Sequence, residues 1–371
     1  MRSWRFGLAK TISMLIVLSA LVVLAVAPTT AQIFDNSGGG SWKEYTSFPL
    51  TTTPSEYAQY KILINGATWE LYNVMGSLEA SGTNANFWSL VSSTGADIRV
   101  FNQTRQQLYF WIEEWDYNNQ TATIWVNLTA DSTELNIAYG NPNALPSAYN
   151  DGDSVFEAFD DFSGDLSKWV QERGTWGIVD GKLTVTSDVG TAPGNVITYS
   201  NLLADKLIIV EVEVTLDGED GFTLYATSSD CYFTVASTSM DLLRVLRYTG
   251  DWTELASVSQ TYDVGDVIDL RITLDGSNLI VEDLTNGVSL SKSFTLSSDY
   301  KIGLRTSVGS SGKFDNFKAY KLADPADFGT PLIKIIQKFG TKTVYVNVTY
   351  LDTATTNRYN PTAYYKLEDK P

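Results

Sequence analysis

The chain has 371 residues, 43 acidic against 26 basic, a formal charge of −17 and 43% hydrophobic side chains. That length suits two sandwich-sized domains with full cores, and the acidity argues against nucleic acid as a partner, because phosphate binding needs a basic footprint. With no histidine and a single cysteine, Cys231, the sequence excludes histidine-based catalysis, histidine-ligated zinc, thiolate clusters and any intrachain disulfide.

The N-terminus places Arg2, Arg5 and Lys10 before the apolar run "TISMLIVLSALVVLAVAP", followed by small residues up to Ala31. That order reads as a secretory signal peptide over residues 1–31, with a retained membrane anchor as the other reading; polar Thr11, Ser13 and Ser19 favour cleavage. Secretion without disulfides suggests a prokaryotic, archaeal-type surface protein, outside the cell or on its surface. Residues 32–41 are a Gly/Ser-rich linker. From Trp42 to residue 158 the pattern is strands and turns, including a hairpin about Asn65-Gly66 in "QYKILINGATWELYNV". "ADIRVFN", "QLYFWIEEW", "TATIWVNLT" and "TELNIAYG" follow, and the turn-rich "GNPNALPSAYNDGDS" closes this first β-sandwich.

A second unit spans residues 159–322. Its short strands are punctuated by Asp-Gly hairpin signals at Asp180-Gly181, Asp217-Gly218 and Asp275-Gly276, a pattern of all-β sandwiches and jelly rolls. No convincing helix pattern appears, and "PLIKIIQKF" is too short to decide. Residues 323–371 hold a breaker-rich link and a solitary strand, "TKTVYVNVTYL". That strand returns to a sandwich, starts a third module, or pairs with another chain and makes an oligomer. The predicted fold is thus all-β, two tandem antiparallel sandwiches plus a short C-terminal β segment.

Candidate chemistry falls in four places. Glu211 and Glu213 in "IIVEVEVTLD" share one strand face, as the acid pair of a retaining glycosidase would. The third acid of the usual Glu-x-Asp-x-x-Glu pattern is missing, since Val212 and Leu216 occupy those positions. In "WIEEW", Glu113 and Glu114 point to opposite faces. Glu113 shares its face with Tyr109, Trp111 and Trp115, which together with Trp125 make either a sugar-stacking platform or a sandwich core. Asp160, Asp161 and Asp165 in "FDDFSGDLSKW" carry hard oxygen ligands of the kind Ca²⁺ takes. With Asp315 of "KFDNF" they form a candidate structural calcium site, or they cap turns at the domain seam. The Asn-x-Thr sequons at Asn102, Asn119, Asn127 and Asn347 are candidate glycosylation sites. Asn127 and Asn347 alternate with the aliphatic stripes of their strands, on the face where a glycan could sit. Cys231 lies in the strand-like "DCYFTV" and reads as a buried structural thiol.

Two resemblances emerge from these residues. "FDDFSGDLSKWVQERGTWGIVDGKLTV" and "YKIGLRTSVGSSGKFDNFKAY" resemble a concanavalin-A-like (laminin-G-like) jelly-roll module over Phe159 to Tyr320. "ADIRVFN", "LYFWIEEW", "TATIWVNLT", "LNIAYGNPNA" and "VFEAFDDF" are similar to domain of unknown function 2341, found in secreted prokaryotic surface proteins and commonly followed by such a module. Neither resemblance supplies catalytic residues. The expectation is a secreted, non-catalytic surface glycoprotein that binds glycans or acts in adhesion, with a membrane partner only if the N-terminal segment is retained. A structural subunit of a surface assembly or filament and a carboxylate-dependent glycosidase stand as alternatives.

Overall fold

The computed structural model describes residues 38–321 apart from 52, 55, 75, 204–206 and 294–299. The signal segment, Asn347, "PLIKIIQKF" and the C-terminal strand lie outside the described residues.

The first sandwich is made of β1 (Glu44–Pro49), β2 (Ala58–Asn65), β3 (Thr68–Asn73), β4 (Leu78–Thr83), a helical turn α1 (Phe87–Leu90), β5 (Arg99–Asn102), β6 (Phe110–Asp116), β7 (Thr121–Leu128) and β8 (Glu134–Tyr139). β1-β8-β5 form one sheet and β4-β3-β2-β7-β6 the other, all antiparallel. The alternation in "YKILIN" and "TATIWVNL" drives this. Tyr60, Ile62 and Ile64 of β2 and Ile124, Val126 and Leu128 of β7 point inward onto Phe48, Val100, Leu135 and Ile137 of the facing sheet.

After the short helix α2 (Gly152–Val155), β9 (Ala158–Asp160) opens the second sandwich. Next come β10 (Trp169–Arg173), β11 (Thr175–Val179), β12 (Lys182–Ser187), β13 (Asn195–Leu203), β14 (Ile208–Thr215), β15 (Glu219–Thr227), β16 (Asp230–Ser237) and β17 (Leu242–Tyr248). β18 (Trp252–Ser259), β19 (Val267–Leu274), β20 (Asn278–Asp283), β21 (Val288–Ser293), β22 (Lys301–Thr306) and β23 (Lys313–Lys321) complete it. A sheet ordered β10-β13-β22-β15-β16-β17-β18 packs on one ordered β11-β12-β23-β14-β19-β20-β21, with β9 added beside β23. Val210, Val212, Val214, Leu270, Ile272, Phe314 and Phe317 meet Ile197, Phe222, Leu224, Val245 and Leu304 across the core. The jelly roll follows from strands that alternate between the two sheets along the chain.

Of the Asp-Gly signals, Asp180-Gly181 closes the tight β11–β12 hairpin, both residues at positive φ (+54° and +77°) as a type I′ turn requires. Asp275-Gly276 closes β19 on β20. Asp217-Gly218 differs. It carries the chain from β14 in one sheet to β15 in the other. The buried Asp220 carboxylate accepts the backbone N–H groups of Asp217 and Gly218 at 2.8 and 2.9 Å, which shapes a crossover rather than a hairpin.

Candidate functional site

The outer face of the β4-β3-β2-β7-β6 sheet lies against the outer face of the sheet containing β14, β19 and β23. Each strand's alternation dictates what enters this seam. With Ile62 and Ile124 in the core, Lys61 and Trp125 face out, directly paired across β2 and β7. With Val210 and Val212 inward, Ile209, Glu211 and Glu213 face out from β14. β23 contains a bulge at Asn316 (φ +52°), where its register against β14 shifts. Phe314 and Phe317 therefore both reach the core, and Lys318 and Tyr320 turn to the seam. The apolar part of the seam is Trp125, Val155, Phe156, Phe159, Ile209 and Tyr320, flanked by Trp111 and Val74.

A buried ionic network joins the two sandwiches. Lys318, 7% exposed, pairs with Glu113 of β6 and stands 3.1 Å from Glu211 Oε2. Glu211 Oε1 accepts from Arg271 Nε at 2.8 Å, Arg271 Nη2 at 2.6 Å and the Tyr320 hydroxyl at 2.6 Å. Glu113 Oε2 takes the Trp125 indole N–H at 2.8 Å. Arg271 Nη1 lies 3.6 Å from Glu282. Burial alone would raise the Glu211 carboxyl, but Lys318, Arg271, the Tyr320 hydroxyl and Lys61 outweigh it and hold the group well below the usual carboxylate range. Burial likewise pulls Lys318 down, and Glu113 and Glu211 carry it above its ordinary value. Both groups stay charged through the neutral range.

Beside this network the seam opens into a cleft of about 290 Å³. Trp125, Ile209 and Tyr320 form its apolar side, and Lys61, Tyr72, Arg271, Thr273 and Glu282 supply hydrogen-bonding groups from both sandwiches. Lys61 Nζ lies 5.2 Å from the Trp125 ring centre, a cation–π contact, and forms no ion pair among the described residues. Tyr72 donates its hydroxyl to Glu70 at 2.8 Å.

The predicted aromatic row is not a row. A bulge at Glu113 shifts β6 against β7, so Trp111 pairs with Trp125 in the seam while Trp115 pairs with Ala122 on the core face. Trp115 packs 5.2 Å from Trp88 and donates to Ser93 O; Trp111 meets Phe159 edge-on at 4.7 Å. Only Trp125 lines the cleft. Glu114 faces solvent near Thr123, and Tyr109 is exposed against Tyr149.

Asp160, Asp161 and Asp315 do not converge. Asp160 is buried on the core side, accepting the Trp169 indole N–H at 2.7 Å and Phe162 N–H at 2.8 Å. Asp315 belongs to the opposite face of its sheet, opposite Glu213 and 3.7 Å from Lys182. Asp161 accepts from Ser163 N and Oγ, and Asp165 from Ser167 N, as turn caps do. Among the described residues no group of three or more His, Cys, Asp or Glu side chains gathers to hold a metal. The bulge at Asn316 is the physical reason: it turns Asp315 away from the face that β9 shares with Phe317.

Glu213 pairs with Lys182 at 2.5 Å, and Glu211 is buried within the network with its carboxyl held below the usual range. Asn102 is buried and organises its turn, Oδ1 accepting from Thr104 N, Thr104 Oγ1 and Gln106 N. Asn127 sits in the seam donating to Ser154 O, because the face opposite its aliphatic stripe is covered by the second sandwich. Asn119 is exposed at the β6–β7 hairpin, donating to Asp116. Lys61, Arg271, Glu282, Lys318 and Tyr320 were not singled out by sequence, since an outward charge on a strand reads as solvated surface.

Residues 94–172 match the family model described as Domain of unknown function (DUF2341). The chain carries this segment together with a concanavalin-like jelly roll. The match runs into β10, so it crosses the seam into the second sandwich. No curated protein matches the chain. Among solved structures, it is similar to a carbohydrate-binding module (CBM66) from Bacillus subtilis, at 17% identity and TM-score 0.36, over 42% of this chain and 97% of that one. It is also similar to a xylan β-1,4-xylosidase from Bacillus halodurans, at 14% identity and TM-score 0.33, over 71% of this chain and 63% of that one. Chicken galectin 2 aligns at 12% identity and TM-score 0.25, over 32% of this chain and 94% of that one.

Proposed function

We propose that the chain is a secreted, non-catalytic surface protein that binds carbohydrate in the cleft between its two sandwiches. The observation that carries this reading is the composition of the cleft. The nearly buried Trp125, Ile209 and Tyr320 border the cleft, and charged and hydroxyl groups from two sheets line the rest of it. A sugar ring presents the matching pair of surfaces, apolar C–H patches and a rim of hydroxyls. Both walls are strands of packed sheets tied by the buried network, so the groups are held in place before a ligand arrives. The non-catalytic reading rests on Glu211, held charged by Lys318 and Arg271, and on Glu213, engaged by Lys182. Secretion rests on the charged and apolar N-terminal segment of the sequence.

The test is retention on a broad glycan array and on insoluble polysaccharides, with Leu63→Trp as the blocking variant, since Leu63 lines the cleft. Binding by the wild type and its loss in Leu63→Trp, at unchanged circular dichroism, is the expected result. No retention of any glycan would refute the reading.

A further inference from the structure

The hydrogen-bonding capacity left in the cleft is unbalanced. Lys318 is committed to Glu113 and Glu211, and the Nε and Nη2 groups of Arg271 to Glu211. The Trp125 indole N–H is spent on Glu113, and the Tyr72 hydroxyl donates to Glu70. Lys61 is different. It is half-buried in the cleft wall, rests on the π face of Trp125 and has no carboxylate within 4.0 Å among the described residues. Glu282 is the one carboxylate among the residues that line the cleft. Glu282 is itself 3.6 Å from Arg271. Glu211 acts on Lys61 from farther off, and the ammonium forms no ion pair of its own among the described residues. Walls of low dielectric around it strengthen its attraction for an anion.

We propose that the cleft selects an acidic saccharide, with the carboxylate of a uronate residue seated on Lys61 and the sugar ring against the Trp125 and Tyr320 edge. This inference rests on the carbohydrate-binding reading and names the ligand class for the same site. An ammonium is a point charge with three donors, suited to a carboxylate or a sulfate. The depth of Lys61 beside an aromatic edge favours the smaller, planar carboxylate, carried directly on the ring.

The test uses matched pairs. Uronate oligosaccharides and their methyl esters have the same shape and differ in charge. A panel of such pairs, with sulfated oligosaccharides alongside, is titrated by calorimetry against the full mature chain and its Lys61→Gln and Lys61→Arg variants. The expected result is tighter binding of the acid than of its ester by about tenfold, the scale of one ion pair partly withdrawn from water. That preference should weaken with added salt, disappear in Lys61→Gln and persist in Lys61→Arg. Equal binding of acid and ester would overturn the proposal while leaving carbohydrate binding intact. Preference for sulfated sugars over uronates would overturn the carboxylate assignment. An acid preference that survives in Lys61→Gln would move the anion site elsewhere. Failure of every oligosaccharide to bind would overturn this inference and the reading beneath it together. Lys61→Gln keeps a polar, similar-length side chain on a strand face with solvent access, and its melting temperature reports any fold defect separately from the acid-to-ester ratio.

Discussion

Replacing Lys318 with methionine removes the cation that ties Glu113 of the first sandwich to Glu211 of the second. Both carboxylates lose a partner in a place where water cannot readily replace it: side-chain exposure is 8% for Glu211 and 22% for Glu113. Breaking a buried pair from one side costs roughly 3–5 kcal/mol, because the remaining charge is left buried without compensation. At about 2–4 °C per kcal/mol for a unit of this size, the melting temperature should fall by on the order of 10 °C. The pH profile should change in a defined direction. The Glu211 carboxyl is depressed in the folded state, so the stability it contributes is present above its ordinary value of 4.5 and is lost as pH falls through the folded value. Lys318 is raised, so its contribution holds below the ordinary 10.5 and is lost only as pH climbs past it. Without Lys318 the Glu211 carboxyl rises toward the ordinary range, and acid unfolding should begin at higher pH. Differential scanning calorimetry across pH 2–8, with Lys318→Met, Glu113→Gln and the double variant, measures both effects. A double-mutant coupling near zero, or a melting shift below about 2 °C, would refute a stabilising ionic tie across the seam.

Four further outcomes follow from the placement of individual residues. In a glycosylating host, peptide mapping should find glycan at Asn119 and none at Asn102 or Asn127, whose side chains are committed to a turn and to the seam; occupancy at Asn102 in folded protein would contradict that geometry. Chelation by EDTA should leave the melting temperature within about 1 °C, since Asp160 and Asp315 lie on opposite faces of their sheet and do not converge on one ion. Asp160→Ala should cost about 2–3 kcal/mol in urea unfolding by stranding the buried Trp169 indole N–H and Phe162 N–H. The Cys231 thiol is buried and pushed up to about 12 by that burial. It should therefore resist iodoacetamide in the native protein and react on unfolding; rapid native labelling would contradict its placement.

The fold was largely legible because a period of two is a local property. "TATIWVNL" and "IIVEVEVT" assign each residue to one of two faces without further information, and the inward residues are those found in the cores. What alternation does not specify is what covers the second face. Trp125, Asn127, Glu211 and Lys318 read as surface or site residues, and they lie beneath a neighbouring sheet. The bulges at Glu113 and Asn316 add a second limit. A single inserted residue exchanges the faces for the rest of the strand, which divided Trp111 from Trp115 and Asp315 from Asp160. Lys61 carried no signal at all, since its place in the cleft beside Trp125 is a property of three-dimensional neighbours.

The central claim is that the cleft between the sandwiches is the saccharide site. The most direct measurement is a crystal structure of the chain with the tightest-binding uronate oligosaccharide from the matched panel. The account predicts sugar density between Lys61 and Arg271, with the ring against the Trp125 and Tyr320 edge. Density confined to another surface, such as the outer face of the jelly roll around the exposed Trp252, would contradict it.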